Sequence, residues 1–397
     1  MSRAKLVLIS VIGLHLVAET ALTPFLPQLF DRLYAVDEPG ATGLYLWICR
    51  IVGLAALPLW GLAARRWPLH RLVLAGLCGS AVLDLLLGLA PSYAAYTALS
   101  AAVVTTNSAL LLAYPAFIAE HDAGPAGGER ARLAGICSIV VVFHVSVVVA
   151  TMVGAGVLAL PEPRVGISAF AVLDVLLAVL TYRVLGKRAP AGVTEAAPDA
   201  GVRRRGVGLA ALAQAALIGV AFDFAVNVAR PFFTEFADDL GSGSAGSAVL
   251  FFLPSVAALA VLPFVRRCHD LLGDRLLPLA LAVAAAGLAW QALSPSLAGL
   301  AGGRLLFGVG LGLGQVAVEL WVFRATGTAG PAFTVVETAR SAGLLAAPVA
   351  AAAAVSYDLA LPLAVAAAVH LIATGLSLRR VPVPLPEPAL AYSKETS

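Results

Sequence analysis

The sequence predicts an all-α membrane protein whose twelve transmembrane helices form two pseudo-symmetric six-helix halves. Three observations lead to this fold class. Hydrophobic residues make up 60% of the 397 residues and charged residues only 12%, which is about half the charged share of a soluble domain. The apolar residues are gathered in runs long enough to cross a bilayer. One long polar connection separates six of these runs from the other six.

Each predicted helix corresponds to an apolar run of about 20 residues or more, the length that spans the hydrocarbon core. The first run is not a cleaved signal peptide, because it is too long and contains Glu19 and Pro24. The twelve predicted helices are 5–30, 43–64, 69–90, 93–119, 131–158, 165–185, 207–236, 245–265, 274–294, 297–324, 331–355 and 359–379.

The distribution of Lys and Arg predicts the orientation, since cytoplasmic loops carry an excess of these residues. With the N-terminus in the cytoplasm, twenty of the 26 Lys and Arg residues lie on the inner side. Only two, Arg32 and Arg164, then lie on the outer side. Both termini are therefore predicted to be cytoplasmic, and the chain is predicted to lie in the inner (plasma) membrane of the cell.

The predicted domains are an N-terminal half at 1–185, a cytoplasmic linker at 186–206, a C-terminal half at 207–380 and a disordered cytoplasmic tail at 381–397. The linker is rich in Pro, Gly and Ala, a composition typical of flexible segments. Every second residue of the tail from position 382 to position 388 is proline, which favours an extended chain.

Two pairs of similar segments indicate that the halves are related. The segment Pro24–Asp31 near the end of helix 1 aligns with Pro231–Asp238 near the end of helix 7. A basic turn after helix 2, Gly61–Arg71, aligns with Arg266–Arg275 after helix 8. Repeated six-helix halves are typical of several families of secondary transporters.

The basic turns resemble the loop between helices 2 and 3 of the major facilitator superfamily, written G-x-x-x-D-[RK]-x-G-x-[RK]. The second turn keeps the acid, the second glycine and the final arginine of this motif. The first turn keeps the leading glycine but has Arg65 in place of the acid and Pro68 in place of the second glycine. The resemblance implies a cytoplasmic gate formed by the residues Gly61, Arg65, Arg71, Asp270, Gly273 and Arg275.

A second motif of the superfamily is present in an unusual place. The segment Gly303–Gly312 on helix 10, which contains Arg304, resembles the R-x-x-x-G-x-G motif usually found on helix 4. Helix 4 itself lacks this motif, and helix 5 lacks the Gly-Pro signature of proton-driven exporters. The resemblance as a whole implies alternating access around a central cavity lined by helices 1 and 7.

Polar side chains within the predicted helices identify candidate functional residues. An ionisable group at the bilayer centre costs about 2.5–3.5 kcal/mol on insertion scales and normally faces the bundle interior. The spacing of Asp223, Asn227 and Arg230 places them on one face of helix 7. The candidates for substrate binding or proton coupling are Glu19, Arg50, Asn107, His144, Asp223, Asn227, Arg230, Arg304, Glu319 and Arg340.

Glu19 and Asp223 are the predicted coupling carboxylates. Each lies one or two turns before a proline, and proline frees a backbone carbonyl and permits a helix to bend. Arg50 and Arg230 have two possible roles. They are either ion-pair partners of these acids or receptors for an anionic substrate, because guanidinium binds carboxylates bidentately.

Several polar residues also have purely structural interpretations. Glu337 and Arg340, spaced i, i+3, can pair with each other, and His144 can be a satisfied core histidine. Asp84 on helix 3 and Asp174 on helix 6 occur in the same context, Ala-Val-Leu-Asp. A structural hydrogen bond is predicted for these two acids.

The sequence predicts a secondary active transporter of a small polar or anionic organic molecule, with proton-coupled efflux of a drug, natural product or siderophore as the leading function. A proton-symport importer and a non-transporting membrane receptor or scaffold are the alternatives. An enzyme is not predicted, because the sequence has no nucleophile–base pair, metal cluster or P-loop, and neither a cofactor nor a metal is expected.

The predicted partners follow from composition. A net charge of +3 is too small to indicate nucleic acid, so the expected partners are a small-molecule substrate, protons and the lipid bilayer, with the chain as a monomer. The scattered cysteines Cys49, Cys78, Cys137 and Cys268 have neither metal-ligand spacing nor the pattern of a disulfide framework.

Overall fold

The computed structural model describes residues 13–112, 129–185, 209–326 and 331–379, and the regular elements in these ranges are all helices. The predicted linker and the predicted tail lie outside the described residues. The α-helices are α1 (13–20), α2 (Leu26–Tyr34), α3 (Pro39–Ala64), α4 (Leu69–Gly88), α5 (Tyr93–Asn107), α6 (Glu129–Ala159), α7 (Pro163–Ser168), α8 (Phe170–Leu185), α9 (Leu209–Val228), α10 (Phe233–Asp239), α11 (Gly243–Val261), α12 (Val265–Leu272), α13 (Leu276–Leu293), α14 (Leu297–Thr326), α15 (Pro331–Val355) and α16 (Leu361–Leu378).

Nine runs among the described residues are long and apolar enough to cross a membrane. The longest run, Gly243–Leu293, contains both α11 and α13. The nine runs therefore include ten of the predicted helices. The other two, predicted at 5–30 and 93–119, extend into the residues that the structure does not describe.

Predicted helices 1 and 7 are both interrupted, at equivalent places. A 3-10 turn at Thr23–Phe25 separates α1 from α2, and residues 229–232 separate α9 from α10. Pro24 and Pro231 lie in these breaks, where a residue without a backbone N–H cannot continue the helical hydrogen bonding. The continuous helix predicted at 207–236 is thus two helices, and the apolar span ends at Val228.

The helices pack mostly within two sets. In the first set α4 packs against α5 and α8, and in the second α13 packs against α14 and α16 while α9 packs against α15 and α16. Two further contacts, α3 with α15 and α6 with α11, join the sets. Gly43 permits the first of these, because a Cβ there would lie 2.6 Å from Ala352 Cβ.

An aromatic cluster fixes the first set at the end of the bundle opposite the basic turns. The Phe30 ring packs edge-on against the rings of Tyr45, Tyr93 and Tyr96 at centroid distances of 5.2, 5.2 and 5.6 Å. The Tyr93 hydroxyl donates to the Ala41 carbonyl at 2.7 Å. Helices α2, α3 and α5 are therefore held together at this end of the bundle, which we call the opposite end. The end that carries the basic turns is called the hairpin end.

The crossing of α9 and α15 positions the charged residues described below. A Cβ on Gly343 would lie 2.5 Å from the Val220 carbonyl oxygen. A Cβ on Gly219 would lie 2.7 Å from Arg340 Cγ. Both glycines therefore let the two helices approach closely, and the Arg340 side chain lies across the surface of α9.

We expect Gly343→Ala to lower the thermal stability of the detergent-solubilised protein, because the new methyl group meets backbone that cannot move alone. Overpacking of this kind costs about 1–3 kcal/mol. The matched control is Gly375→Ala on α16, where a Cβ has no neighbour within 4 Å. Unfolding followed by circular dichroism should give a lower Tm for the first variant and an unchanged or higher Tm for the control. Equal Tm values would contradict the close crossing.

Candidate functional site: charged residues between the helix sets

Three carboxylates from three helices surround the guanidinium of Arg340. Its Nε donates to Asp223 Oδ2 at 2.7 Å and its Nη2 to Asp223 Oδ1 at 3.3 Å. Its Nη1 lies 2.9 Å from Glu319 Oε1 and 2.8 Å from Glu337 Oε1. One positive charge therefore faces three acids, from α9, α14 and α15, and the cluster has an excess of negative charge whenever all three are ionised.

The four side chains of this cluster differ in their exposed fraction. Arg340 is 11% exposed and Asp223 is 16% exposed, so this bidentate pair lies deepest. Glu319 is 25% exposed and Glu337 is 39% exposed. Glu337 reaches Arg340 from one turn away on the same helix, whereas Glu319 comes from α14.

Arg50 connects the two helix sets beside this cluster. It lies on α3, its Nη2 donates to Asn227 Oδ1 at 2.9 Å, and its Nη1 donates to the Leu344 carbonyl. The Asn227 amide in turn donates to the Asp223 carbonyl at 2.7 Å. Arg50 of the first set is thus linked through one amide to the turn of α9 that carries Asp223.

Arg230 lies in the break between α9 and α10. Its guanidinium is 5.6 Å from the centroid of the Phe143 ring, and it repels the positive charge of Arg50. Among the described residues it makes neither a hydrogen bond nor an ion pair. The sequence pairs Arg230 with Asp223 as one possibility, but the Asp223 carboxylate is bound to Arg340 instead.

His144 on α6 faces the second helix set. Its Nδ1 lies 3.1 Å from Ser255 Oγ of α11, and its side chain is fully buried. Its Nε2 and the Oε1 of Gln315 on α14 are both buried and form no hydrogen bond of normal geometry, although the two side chains lie close to each other. Two polar groups therefore meet here without a well-formed hydrogen bond.

Glu19 stands apart from the Arg340 cluster. Its carboxylate lies 3.4 Å from His15 Nε2 and is 46% exposed. It is close enough to Arg50 for their charges to attract, but no ion pair joins the two in the described part of the chain.

Two predicted site residues lie in helix packing rather than between the sets. Arg304 donates to the Leu250 carbonyl at 2.9 Å and to the Phe251 carbonyl, and its guanidinium lies 3.8 Å from the Phe233 ring centroid. The Asn107 Oδ1 accepts a hydrogen bond from Ser80 within the first set. These contacts suit a structural role for both side chains.

The predicted gate residues lie at the surface of the hairpin end. Arg65, Arg71, Asp270, Gly273 and Arg275 are exposed, and Gly61 is partly buried. Arg324 of α14 forms an ion pair with Asp274 of the second basic turn at 3.1 Å, and this contact lies within the second set.

At the opposite end the two helix sets touch where α10 packs against the break that precedes α2. Thr234 of α10 donates a hydrogen bond to the Pro24 carbonyl. Burial raises the pKa of the neighbouring Glu235 to about 7, and the negative charge of Asp31 on α2 acts in the same direction. Glu235 lies beyond the apolar span that ends at Val228. Sequence reasoning missed this acid, although it belongs to the repeated segment.

Other residues that the sequence analysis left out of the site also have partners. Asp84 of α4 and Asp174 of α8, for which the sequence predicts structural hydrogen bonds, lie next to each other, and a hydrogen bond joins their side chains. Glu337 belongs to the Arg340 cluster, and its i, i+3 spacing was the available signal. No sequence pattern marks Phe143 as a site residue, because its importance depends on the side chain that packs against it.

We expect the contact between α2 and α10 to weaken as the pH rises through about 7. The raised pKa means that this arrangement binds the Glu235 proton more tightly than separated helices do, so its stability is present at low pH and declines as the carboxyl ionises beside Asp31. Electron–electron resonance between spin labels on Ala35→Cys and Ser244→Cys should give longer distances above pH 7.

Glu235→Gln should keep the short distance at every pH. The matched control is Glu162→Gln, which removes an exposed acid at the same end and should retain the pH dependence. A pH-independent distance in the unmodified chain would contradict this assignment.

Comparison with known proteins supports the fold. No protein-family model matches the sequence, and a search of the curated proteins finds no similar one. The crystal structure of the nucleoside transporter NupG is similar with a TM-score of 0.65 at 12% identity, covering 95% of this chain and 96% of that one. A point mutant of NupG gives a TM-score of 0.65 at 11% identity, covering 94% and 96%. This chain is thus a multi-pass membrane protein with the all-helical fold of the major facilitator superfamily, the fold class that its sequence predicts.

Proposed function

We propose that this chain is a proton-coupled secondary transporter that exports a small polar or anionic organic molecule by alternating access. The observation that carries the proposal is the excess of carboxylates around Arg340. Three acids share one guanidinium between helices of a membrane-embedded bundle. Buried charges of one sign that lack counter-ions are costly in a low-dielectric layer, and uptake of a proton by one acid removes part of that cost.

Glu319 is the proposed proton carrier, in place of Glu19 and Asp223. Asp223 makes two hydrogen bonds to Arg340, so its negative charge is compensated. Glu19 is nearly half exposed and lies outside the cluster. Glu319 shares a single nitrogen of Arg340 with Glu337 and is the less exposed of those two acids. Among these acids, Glu319 is therefore the one whose negative charge is compensated least when it stays ionised.

The contacts of Arg50 provide a route from protonation to a change of conformation. A proton on Glu319 leaves Arg340 shared between Asp223 and Glu337, which strengthens its hold on Asp223. Asp223 and Asn227 lie on the same turn of α9, and Asn227 binds Arg50 from the other helix set. A ligand shifts a conformational equilibrium only by its differential affinity for the two states. The proton acts here as such a ligand, because it alters the contact between the sets.

The fold and the contacts between the helix sets support transport as the activity. Structures of the nucleoside transporter NupG cover nearly the whole chain, and two sets joined by helix pairs suit rocking around a central site. Nucleosides are polar solutes of the proposed size, so uridine belongs among the substrates to be tested.

Proteoliposomes with a pH gradient test the proposal while the substrate is still unidentified. Vesicles are incubated with a small-molecule extract of the expressing cells, and accumulated solutes are identified by mass spectrometry. We expect at least one solute to accumulate in the direction that corresponds to export, and a protonophore to abolish this accumulation. Accumulation in the opposite direction would support a proton-symport importer and contradict export. Accumulation that is unchanged by the protonophore would contradict proton coupling.

Glu319→Gln should separate exchange from coupling, because glutamine copies the neutral shape of the protonated acid. We expect this variant to exchange labelled solute across the membrane but not to accumulate it against a gradient. Glu162→Gln, at an exposed position, is the control and should accumulate solute normally. Uphill transport by Glu319→Gln with unchanged pH dependence would show that another group carries the proton.

The orientation predicted from the basic residues is tested by labelling. In a background without the four natural cysteines, a membrane-impermeant maleimide added outside should react with Gly241→Cys and not with Ala200→Cys. Gly241 lies in the exposed turn after α10, and Ala200 belongs to the predicted linker, outside the described residues. Reaction of both positions, or of Ala200→Cys alone, would contradict cytoplasmic termini.

A further inference from the structure

We propose that the space beside Arg230 and Arg50 binds the oxyanion of a small organic molecule with a planar apolar body, and that Arg230 is the main residue that holds it. This inference rests on the proposed function, since it names the substrate class of the proposed transporter. The oxyanion is a carboxylate or a phosphate, because both present paired oxygens to a guanidinium fork.

The positive charge of Arg230 has no counter-ion of its own. In the parts of the structure that are described, this guanidinium contacts the Phe143 ring and makes no hydrogen bond or ion pair. Arginine carries five N–H donors in a fixed fork. The Arg230 guanidinium is half-buried between the two helix sets, and its donors have no acceptors among the described residues. A ligand can supply an acceptor at this place.

The neighbouring arginines increase the local excess of positive charge. Among the described residues, Arg50 bonds only neutral acceptors, the Asn227 amide and the Leu344 carbonyl. Arg304 likewise bonds carbonyl groups and an amide oxygen. The charge of Arg230 repels both of these arginines, so three cations lie near one another without a bound carboxylate in the described part of the chain.

The carboxylates that could neutralise these cations are held elsewhere. Asp223, Glu319 and Glu337 all bind Arg340. Glu19 attracts Arg50 from a distance, and among the described residues its carboxylate pairs with His15 Nε2 at 3.4 Å. The charged residues between the helix sets thus form an acidic cluster and a basic cluster, and an anionic ligand supplies the charge that the basic cluster lacks.

A second and independent observation points to a ligand in the same space. Buried polar atoms are nearly always hydrogen-bonded, yet the His144 imidazole and the Gln315 amide lie close to each other without forming a hydrogen bond of normal geometry. His144 is adjacent to Phe143, which packs against Arg230, and its side chain is also near the Arg230 charge. A polar group on the body of the ligand would bond these two groups while its planar face lies against Phe143.

Binding of such an anion would also join the two helix sets. Arg50 belongs to the first set and Arg230 to the second, and the oxyanion offers enough lone pairs to accept from both forks. An oxyanion between them removes the repulsion that otherwise separates them. The ligand therefore favours the conformation in which the sets are closest around the site, which is the differential affinity that alternating access requires.

The test measures binding to the purified full-length chain in detergent micelles with pairs of isosteric probes. Benzoate is compared with benzamide, and phenyl phosphate with phenyl sulfamate. We expect one anion to raise the Tm while its neutral partner leaves the Tm unchanged, and the responding pair distinguishes a carboxylate from a phosphate ligand. If neither anion stabilises the chain more than its neutral partner does, the inference is overturned.

Variants locate the site. Arg230→Gln should raise the Kd of the responding anion, measured by calorimetry, by about tenfold or more, since hydrogen bonds to charged groups are among the stronger ones. The same variant should not lower the Tm without ligand, because it removes an unpaired cation. Arg183→Gln removes an exposed arginine on α8 and should leave the Kd unchanged. An unchanged Kd in Arg230→Gln overturns the inference.

A second variant keeps the test decisive if Arg230→Gln does not fold. Gln315→Glu adds a carboxylate to the same space and should weaken binding of the anion, and normal binding by this variant overturns the placement.

Failure of this inference differs from failure of the proposed function. Accumulation of neutral solutes alone in proteoliposomes overturns only the anion site, whereas anion binding without any proton-driven accumulation overturns only proton-coupled transport.

Discussion

The ion cluster around Arg340 is the interaction on which the other charged residues between the helix sets depend. A guanidinium in a membrane-embedded bundle needs counter-charges, and Arg340 draws them from α9, α14 and its own helix. The close crossing of α9 and α15 at Gly219 and Gly343 places the side chain where it can reach them. Backbone packing and electrostatics are thus coupled, since a change in that crossing would alter which acids share the guanidinium.

The same cluster explains the charge pattern in the remainder of the cavity. Because Arg340 binds Asp223, the nearby Arg230 is left without an acid. Asn227 separates the two regions, and its amide bonds Arg50 on one side and the α9 backbone on the other. A neutral, hydrogen-bonded residue between an acidic and a basic cluster keeps the opposite charges from collapsing onto each other. In the proposed function, this separation leaves one cluster able to bind a proton and the other able to bind an anion.

The fold class could be predicted from the sequence because it depends on local properties. Apolar runs of sufficient length identify membrane helices, and the repeated segments that contain Pro24 and Pro231 indicate where two of them are interrupted. The Glu337–Arg340 pair follows from its i, i+3 spacing, but the charge pairs between helices could not be predicted, because they depend on the packing of helices distant in sequence. Asp223 has Arg230 two turns away on its own face of the chain, yet its partner Arg340 is 117 positions later. A break in the helix after Val228 takes Arg230 off that face, which helical spacing alone does not reveal.

Arg304 and Arg50 show how one residue type divides between structure and function in this fold. The three nitrogens of Arg304 are bound to carbonyl and amide oxygens of neighbouring helices, and its plane lies against an aromatic ring. Its donors are therefore committed whatever the conformation of the two sets. The acceptors of Arg50 lie on the other set, so its contacts must break when the sets separate. An oxyanion shared by Arg50 and Arg230 would add a second link between the sets and favour the state in which they are closest, and in the proposed function this link arrives and leaves with the transported molecule.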